Sequence, residues 1–187
     1  MDGINPIARK NENIVLVGFP GTGKTTVGRL LVGQLAGWQL RDTDALIEED
    51  QGMPIPGLFS GKGEAYFRQV ESRIIAETMQ GCKQVISTGG GAVLAETNRR
   101  AMLAGGFVVA LAADVETILR RVREDSNRPL FHGDMEARVR RLMQDRHGAY
   151  DFADLCVPTS QHTAEEVARI VLQHFTQDDR ESERGAP

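Results

Sequence analysis

Gly18-Phe19-Pro20-Gly21-Thr22-Gly23-Lys24-Thr25 is the stretch that decides how this chain folds. Its spacing is Gly, four residues, Gly-Lys-Thr, the pattern of a phosphate-binding loop. Glycines permit positive φ, so successive backbone N–H groups can point into one concavity. A polyphosphate placed there also lies at a helix N-terminus, whose dipole favours anions. In that arrangement Lys24 reaches the β- and γ-phosphates, and the Thr25 hydroxyl ligates Mg2+. The plainer alternative is a glycine turn that only caps a helix. The flanks argue against it: the apolar run Ile14-Val15-Leu16-Val17 precedes the loop. After it, Val27, Leu30, Leu31 and Leu35 repeat at helical spacing, and Gly37 closes the helix.

Outward from this loop, short apolar runs alternate with helical patterns. Strands are predicted at Ile14 to Val17, at Trp38 to Arg41 ending on Asp42, at Val85 to Ser87, at Phe107 to Ala112 and, weakly, at Asp154 to Val157. Helices are predicted over Glu64 to Met79, Ala95 to Ala104, Val115 to Arg123, Met135 to His147 and Ala164 to Phe175. Pro54 and Pro56 open a further short helix before Phe59. The alternation implies an α/β fold, a five-stranded parallel sheet flanked by helices. Ligands collect at the carboxyl ends of strands in such sheets. The phosphate loop, Asp42, Ser87 and a glycine triplet all fall there.

The 187 residues suit one domain over residues 13–176, with tails at 1–12 and 177–187. Met1 to Asn13 is polar and has no signal-peptide apolar stretch. Net charge is −4, which disfavours a general binder of nucleic acid or membrane surface. No apolar run has the length of a membrane span. Cys82 and Cys156 share no metal-like spacing with the histidines, and reduced cytoplasmic thiols are expected.

Four further segments carry chemistry. Asp42-Thr43-Asp44 ends the second strand; one carboxylate can lean to the water shell of a metal and the other to a substrate hydroxyl, or Asp44 can simply cap the next helix. Arg68 and Glu71 sit at i, i+3 on one helix face, where the glutamate can hold the guanidinium fork in position for a carboxylate. Ser87-Thr88-Gly89-Gly90-Gly91 closes the third strand; three consecutive glycines suggest close approach of a ligand to the main chain. Arg120, Arg121 and Arg123 lead into Asp125 to Asp134, a predicted lid loop (about 124–135) whose Arg128 closes over phosphates. Asp114 imitates a metal-binding aspartate at a strand end, but the acidic turn after it reads as a helix N-cap.

Together these segments resemble shikimate kinase, a family within the nucleoside-monophosphate-kinase-like branch of the P-loop NTPase fold. The resemblance spans Ile14 to Phe175 and rests on Gly23 to Thr26, Asp42-x-Asp44 with Ile47-Glu48, and Gly63-Glu64-x-x-Phe67-Arg68-x-x-Glu71. It continues through Ser87-x-Gly89-Gly90-Gly91-Ala92-Val93, Arg128-Pro129-Leu130, and Arg146 four residues before Tyr150. The order and spacing of the pieces carry it. It departs at His147-Gly148-Ala149, where the family usually has Pro-Leu before the tyrosine.

The resemblance implies Mg2+-dependent transfer from ATP to the 3-hydroxyl of shikimate, within chorismate and aromatic amino acid biosynthesis, by a cytoplasmic monomer. It implies a substrate subdomain at about 43–72. Lys24, Asp44 and Arg128 would be catalytic. Gly21, Thr22, Gly23, Lys24, Thr25, Thr26, Arg121 and Arg128 would bind ATP, with Arg121 stacked on adenine. Asp44, Arg68, Gly89, Gly90, Gly91 and Arg146 would bind shikimate, the two arginines clamping its carboxylate. Thr25 would ligate Mg2+ directly, and Asp42 and Ser87 through water. Alternatives are another small-molecule P-loop kinase, such as a gluconate kinase, or a catalytically silent nucleotide-binding homologue. A nucleoside monophosphate kinase is disfavoured by the Asp42-x-Asp44 pair, and a GTP switch protein by the absence of an Asn/Thr-Lys-x-Asp segment.

Overall fold

The computed structural model describes residues 13–124 and 135–184. Arg128 and residues 125–134 of the expected lid, the first twelve residues and the last three lie outside the described residues.

Five strands form one parallel sheet: β1 (Asn13–Gly18), β2 (Gln39–Asp42), β3 (Gln84–Ser87), β4 (Phe107–Ala112) and β5 (Leu155–Pro158), in the order β2-β3-β1-β4-β5. Every residue of β1 is buried, as its unbroken apolar run requires for a strand covered on both faces. Its side chains alternate between two cores. Ile14 and Leu16 pack with Val27 and Leu31 of α1 (Lys24–Gln34) and with Val167, Val171 and Phe175 of the C-terminal helix. Val15 and Val17 pack with Ile75, Met79 and Met102 on the opposite face.

The remaining helices are α2 (Thr43–Gln51), α3 (Ile55–Thr78), α4 (Glu96–Gly105), α5 (Val115–Glu124), α6 (Met135–Asp145) and α7 (Ala164–Arg184). α3 is two helices joined at Gly63, whose φ of 82° and ψ of 168° are not helical. Pro54 is its N-cap, with Pro56 in the first turn. The substrate-subdomain core is a separate cluster of Ile47, Leu58, Phe67, Val70 and Ile74 between α2 and α3. α7 runs to Arg184, past Gln177, where the sequence reading begins a C-terminal tail.

The strand register gathers the functional ends. Ser87 pairs with both Leu16 of β1 and Asp42 of β2, so the carboxyl ends of the three neighbouring strands lie side by side. Asn13, counted with the polar N-terminus in the sequence, instead opens β1 and is fully buried. Its amide donates to the carbonyls of Gly81 and Gly105 at 2.8 and 2.9 Å and accepts from the Gln84 N–H at 3.1 Å. These bonds tie the amino end of β1 to the turns before β3 and β4. Asn13→Ala leaves those three groups short of partners in a buried site. Urea unfolding should show a loss of about 3 kcal/mol, whereas a loss below about 1 kcal/mol would mean that water replaces the amide.

Candidate functional site

The phosphate loop connects β1 to α1. Gly21 and Gly23 adopt φ of 89° and 94°, the left-handed region that side chains resist. Thr22 is buried, and its hydroxyl donates to the Phe19 carbonyl at 2.9 Å. Lys24 donates to the carbonyls of Gly18 at 2.8 Å and Phe19 at 3.2 Å, which holds its ammonium along the rim of the loop. The N-cap of α1 is Gly23, with no side-chain cap.

Asp42, not Asp44, caps the helix that follows. Its Oδ1 accepts from the N–H groups of Asp44 at 3.1 Å and Ala45 at 3.5 Å. Its Oδ2 stands 3.4 Å from the Thr25 hydroxyl. One short carboxylate thus starts α2 and presents an oxygen to Thr25. Ser87, buried, lies opposite Asp42 in the sheet. A hydroxyl, a carboxylate and a second hydroxyl at adjoining strand ends form an all-oxygen donor set suited to a hard divalent cation.

Asp44, released from capping, lies against the glycine triplet. A methyl group on Gly89 would stand 2.6 Å from Asp44 Oδ1 and 3.3 Å from Glu71 Oε1; one on Gly91 would stand 2.8 Å from Arg68 Nη2. One on Gly90 would meet Pro20 of the phosphate loop at 2.6 Å. Absence of side chains here therefore lets three charged groups and the phosphate loop close on one stretch of backbone. Arg68 donates through Nη1 to Glu71 Oε2 at 2.7 Å and through Nη2 to Glu64 Oε1 at 3.3 Å. Glu71 is 2% exposed, and burial pushes its carboxyl above the usual range while Arg68 pulls it back. Arg146 donates to the Gly90 carbonyl at 3.1 Å, and the Tyr150 hydroxyl donates to the same oxygen at 2.9 Å. Burial first, then the carboxylates of Asp42 and Glu71, raise the Asp44 pKa from 3.8 to about 6, against the pull of Lys24.

A cavity of about 310 Å3 opens on the other side of the loop, lined by Gly21, Gly23, Thr26, Arg121, Thr159 and His162 among others. Arg121 spans it: its guanidinium donates to the hydroxyl and carbonyl of Thr159, each at 3.0 Å, and to the Gly21 carbonyl at 3.3 Å. Thr159 and His162 have no counterpart among the residues singled out from the sequence, because the family's adenine loop near 158–162 is hard to align on this sequence. Asp114 is a cap: its Oδ1 accepts the Thr117 N–H at 2.7 Å, and that bond holds its carboxyl below the usual range.

The fold therefore brings Asp44, Arg68, Gly89, Gly90, Gly91 and Arg146 into one cluster beside the phosphate loop. Lys24, Thr25, Asp42 and Ser87 lie at the strand ends between that cluster and the cavity at Arg121 and Thr26. Arg128 lies outside the described residues.

Comparison with known proteins points the same way. The sequence model of the shikimate kinase family matches residues 20–176. Shikimate kinase of Moorella thermoacetica is 43% identical over 161 residues, covering 86% of this chain and 92% of the relative. That of Ruegeria pomeroyi is 43% identical over 175 residues, covering 92% and 89%. Shikimate kinase from Acinetobacter baumannii, solved in complex with shikimate, superposes with a TM-score of 0.82 at 37% identity, covering 91% of this chain and 96% of that one.

The environment of Asp44 has a thermodynamic consequence. Below pH 3.8 its carboxyl is protonated in both folded and unfolded chains, and folding bears no penalty. As pH rises from 3.8 towards 6 the unfolded chain ionises first, so this group's contribution to stability falls; above about 6 the full cost, about 3 kcal/mol, is present. Asp44→Asn lacks that titration. In urea unfolding, its stability relative to wild type should improve by about 2 kcal/mol between pH 4 and pH 7.5, and a pH-independent difference would contradict the burial of this charge.

Proposed function

The chain belongs to the shikimate kinase family, and we propose that it transfers the γ-phosphoryl group of ATP to the 3-hydroxyl of shikimate, a step towards chorismate and the aromatic amino acids. The observation that carries this reading is the cluster on the glycine triplet: a carboxylate acceptor and two guanidinium groups facing the same backbone, next to a phosphate loop. A small polyhydroxylated acid requires both kinds of contact. A gluconate kinase does not require this set, and a silent homologue has no need to keep Lys24, Asp44, Arg68 and Arg146 together.

In this reading the backbone N–H groups of Gly21 to Lys24, with Thr26, hold the ATP phosphates, and Lys24 exchanges the carbonyls of Gly18 and Phe19 for phosphate oxygens. Arg121 and the cavity beside it receive the adenine. Thr25 would hold Mg2+ directly, with Asp42 and Ser87 acting through water. When bound, the ion supplies charge neutralisation on the phosphates. Asp44 accepts the reacting hydroxyl of shikimate. With a pKa of about 6 it is ionised at pH 7.5, yet basic enough to take the proton as the phosphoryl group arrives. Arg68 and Arg146 read the substrate carboxylate, Arg68 aimed by Glu71. Arg128 takes the role of a lid arginine on the transferring group, on the strength of the sequence resemblance. Catalysis is then mainly positioning and charge compensation. In this reading the enzyme works as a cytoplasmic monomer on small molecules, without nucleic acid or membrane, in keeping with the net charge of −4.

A coupled ADP-release assay tests the function. Turnover should require shikimate and Mg2+ together; turnover of gluconate with none of shikimate would overturn the assignment. In the same assay kcat/KM for shikimate should fall about tenfold per pH unit below about pH 6. Asp44→Asn should abolish that limb and lower kcat on the order of 100-fold or more.

Arg68→Lys keeps the charge but loses the planar two-point fork. Steady-state kinetics should show the KM for shikimate raised by at least about tenfold and the KM for ATP unchanged, truncation of such a contact being worth about 2–5 kcal/mol. Equal increases in both KM values would mean that Arg68 supports the fold rather than the substrate.

A further inference from the structure

The phosphate-loop pattern assigns work to glycines, a lysine and a threonine and leaves Phe19 without a task. Phe19 is nonetheless 5% exposed, packed with Ile118, Leu119 and Val122 of α5 and Val139 of α6. The Arg146 guanidinium carbon sits 5.4 Å from the centroid of its ring, within the range of a cation–π contact. Arg146 is the first residue after α6 (Met135–Asp145) and hydrogen-bonds Leu142 through its backbone N–H, so its stem starts on a fixed turn. Its Nη1 donates to the Gly90 carbonyl. That carbonyl is itself fixed by the Tyr150 hydroxyl, and Tyr150 packs with Ala149 and Phe152 on the core beneath β4. Burial keeps the Tyr150 phenol above its usual pKa, so it remains a donor across the neutral range.

We propose that Phe19 and Tyr150 are positioning residues for Arg146. The ring face of Phe19 holds the guanidinium from the phosphate-loop side, and Tyr150 fixes the Gly90 carbonyl that anchors one of its N–H groups. The remaining N–H groups are thereby presented to an acid in a set direction. The proposal rests on the reading of Arg146 as a carboxylate-binding residue. It makes an otherwise unassigned loop residue and a tyrosine determinants of how strongly the site prefers an acid over its neutral analogue.

Stepwise fluorination of the Phe19 ring preserves its shape while withdrawing the negative charge of its face. Across mono-, di- and trifluorophenylalanine at position 19, the KM for shikimate should climb progressively, to about 3- to 10-fold. The KM for ATP, kcat, and kcat/KM for the analogue with the carboxylate reduced to an alcohol should stay level. Tyr150→Phe keeps the packing and removes the hydroxyl; it should reproduce the same selective rise of about 3- to 10-fold. A flat KM for shikimate across the fluorinated series, or a parallel rise for shikimate and the alcohol, overturns the proposal. Arg146→Ala separates the two levels. If it erodes discrimination between acid and alcohol while fluorination and Tyr150→Phe do nothing, the clamp stands and the positioning role falls. If it leaves discrimination intact, the clamp and the positioning role fall together.

Discussion

No side chain fits at Gly89, Gly90 or Gly91, and the site depends on that fact. A Cβ at any of the three would stand under 3 Å from Asp44, Pro20 or Arg68 respectively. The bare backbone lets the start of α2, the second half of α3 and the phosphate loop converge on one line of peptide groups. The same backbone offers the Gly90 carbonyl to Arg146 and Tyr150 from the segment after α6. Four stretches of chain distant in sequence therefore meet at one place. Enlarging any of the three residues would push away Asp44, Arg68 or the phosphate loop.

Convergence brings charge with it. Asp42, Asp44 and Glu71 sit close enough to raise the Asp44 pKa, and Lys24, Arg68 and Arg146 lie among them. Partial desolvation makes each of these charges depend on its neighbours, because an unpaired charge in such a place costs several kcal/mol. The cluster thus sets three cations among three carboxylates and holds the Asp44 pKa at about 6. A phosphoryl-transfer site needs that preorganisation more than it needs reactive side chains.

Individual residues show which parts were legible in advance. The Ile14 to Val17 run and the Gly-Lys-Thr loop signalled a strand, a turn and a helix through purely local chemistry, and the structure has them at Asn13–Gly18 and Lys24–Gln34. The two helices around Gly63 were legible for the same reason, Pro at one start and Gly at the break. Which aspartate of Asp42-Thr43-Asp44 caps the next helix was left open between a site role and a cap for Asp44, and the structure gives the cap to Asp42. The two carboxylates are chemically identical, and only the path of β2 into α2 decides which can turn back on the free N–H groups. The buried role of Asn13 was not legible, because a lone asparagine carries no sign of the carbonyls of Gly81 and Gly105, 68 and 92 residues away. Thr159 and His162 were invisible because their place beside Arg121 comes from the pairing of β5 with β4, which no local pattern encodes.

What the sequence by itself determined was the kind of chemistry. Phosphate binding, the alternation of strand and helix, and the stock of carboxylates, arginines and glycines follow from residue types at short spacings, where backbone geometry leaves few choices. The tertiary structure decided the division of labour. It made Asp42 the cap beside Thr25 and turned Asp44 towards Gly89. It placed Arg146 on the ring of Phe19, 127 positions earlier in the chain, and gave Arg121 to Thr159. The physical reason is the reach of the interactions involved. Periodicity and turn chemistry act over a few residues, whereas burial, pKa displacement and the direction of a guanidinium depend on neighbours supplied by the packing of distant elements around β1.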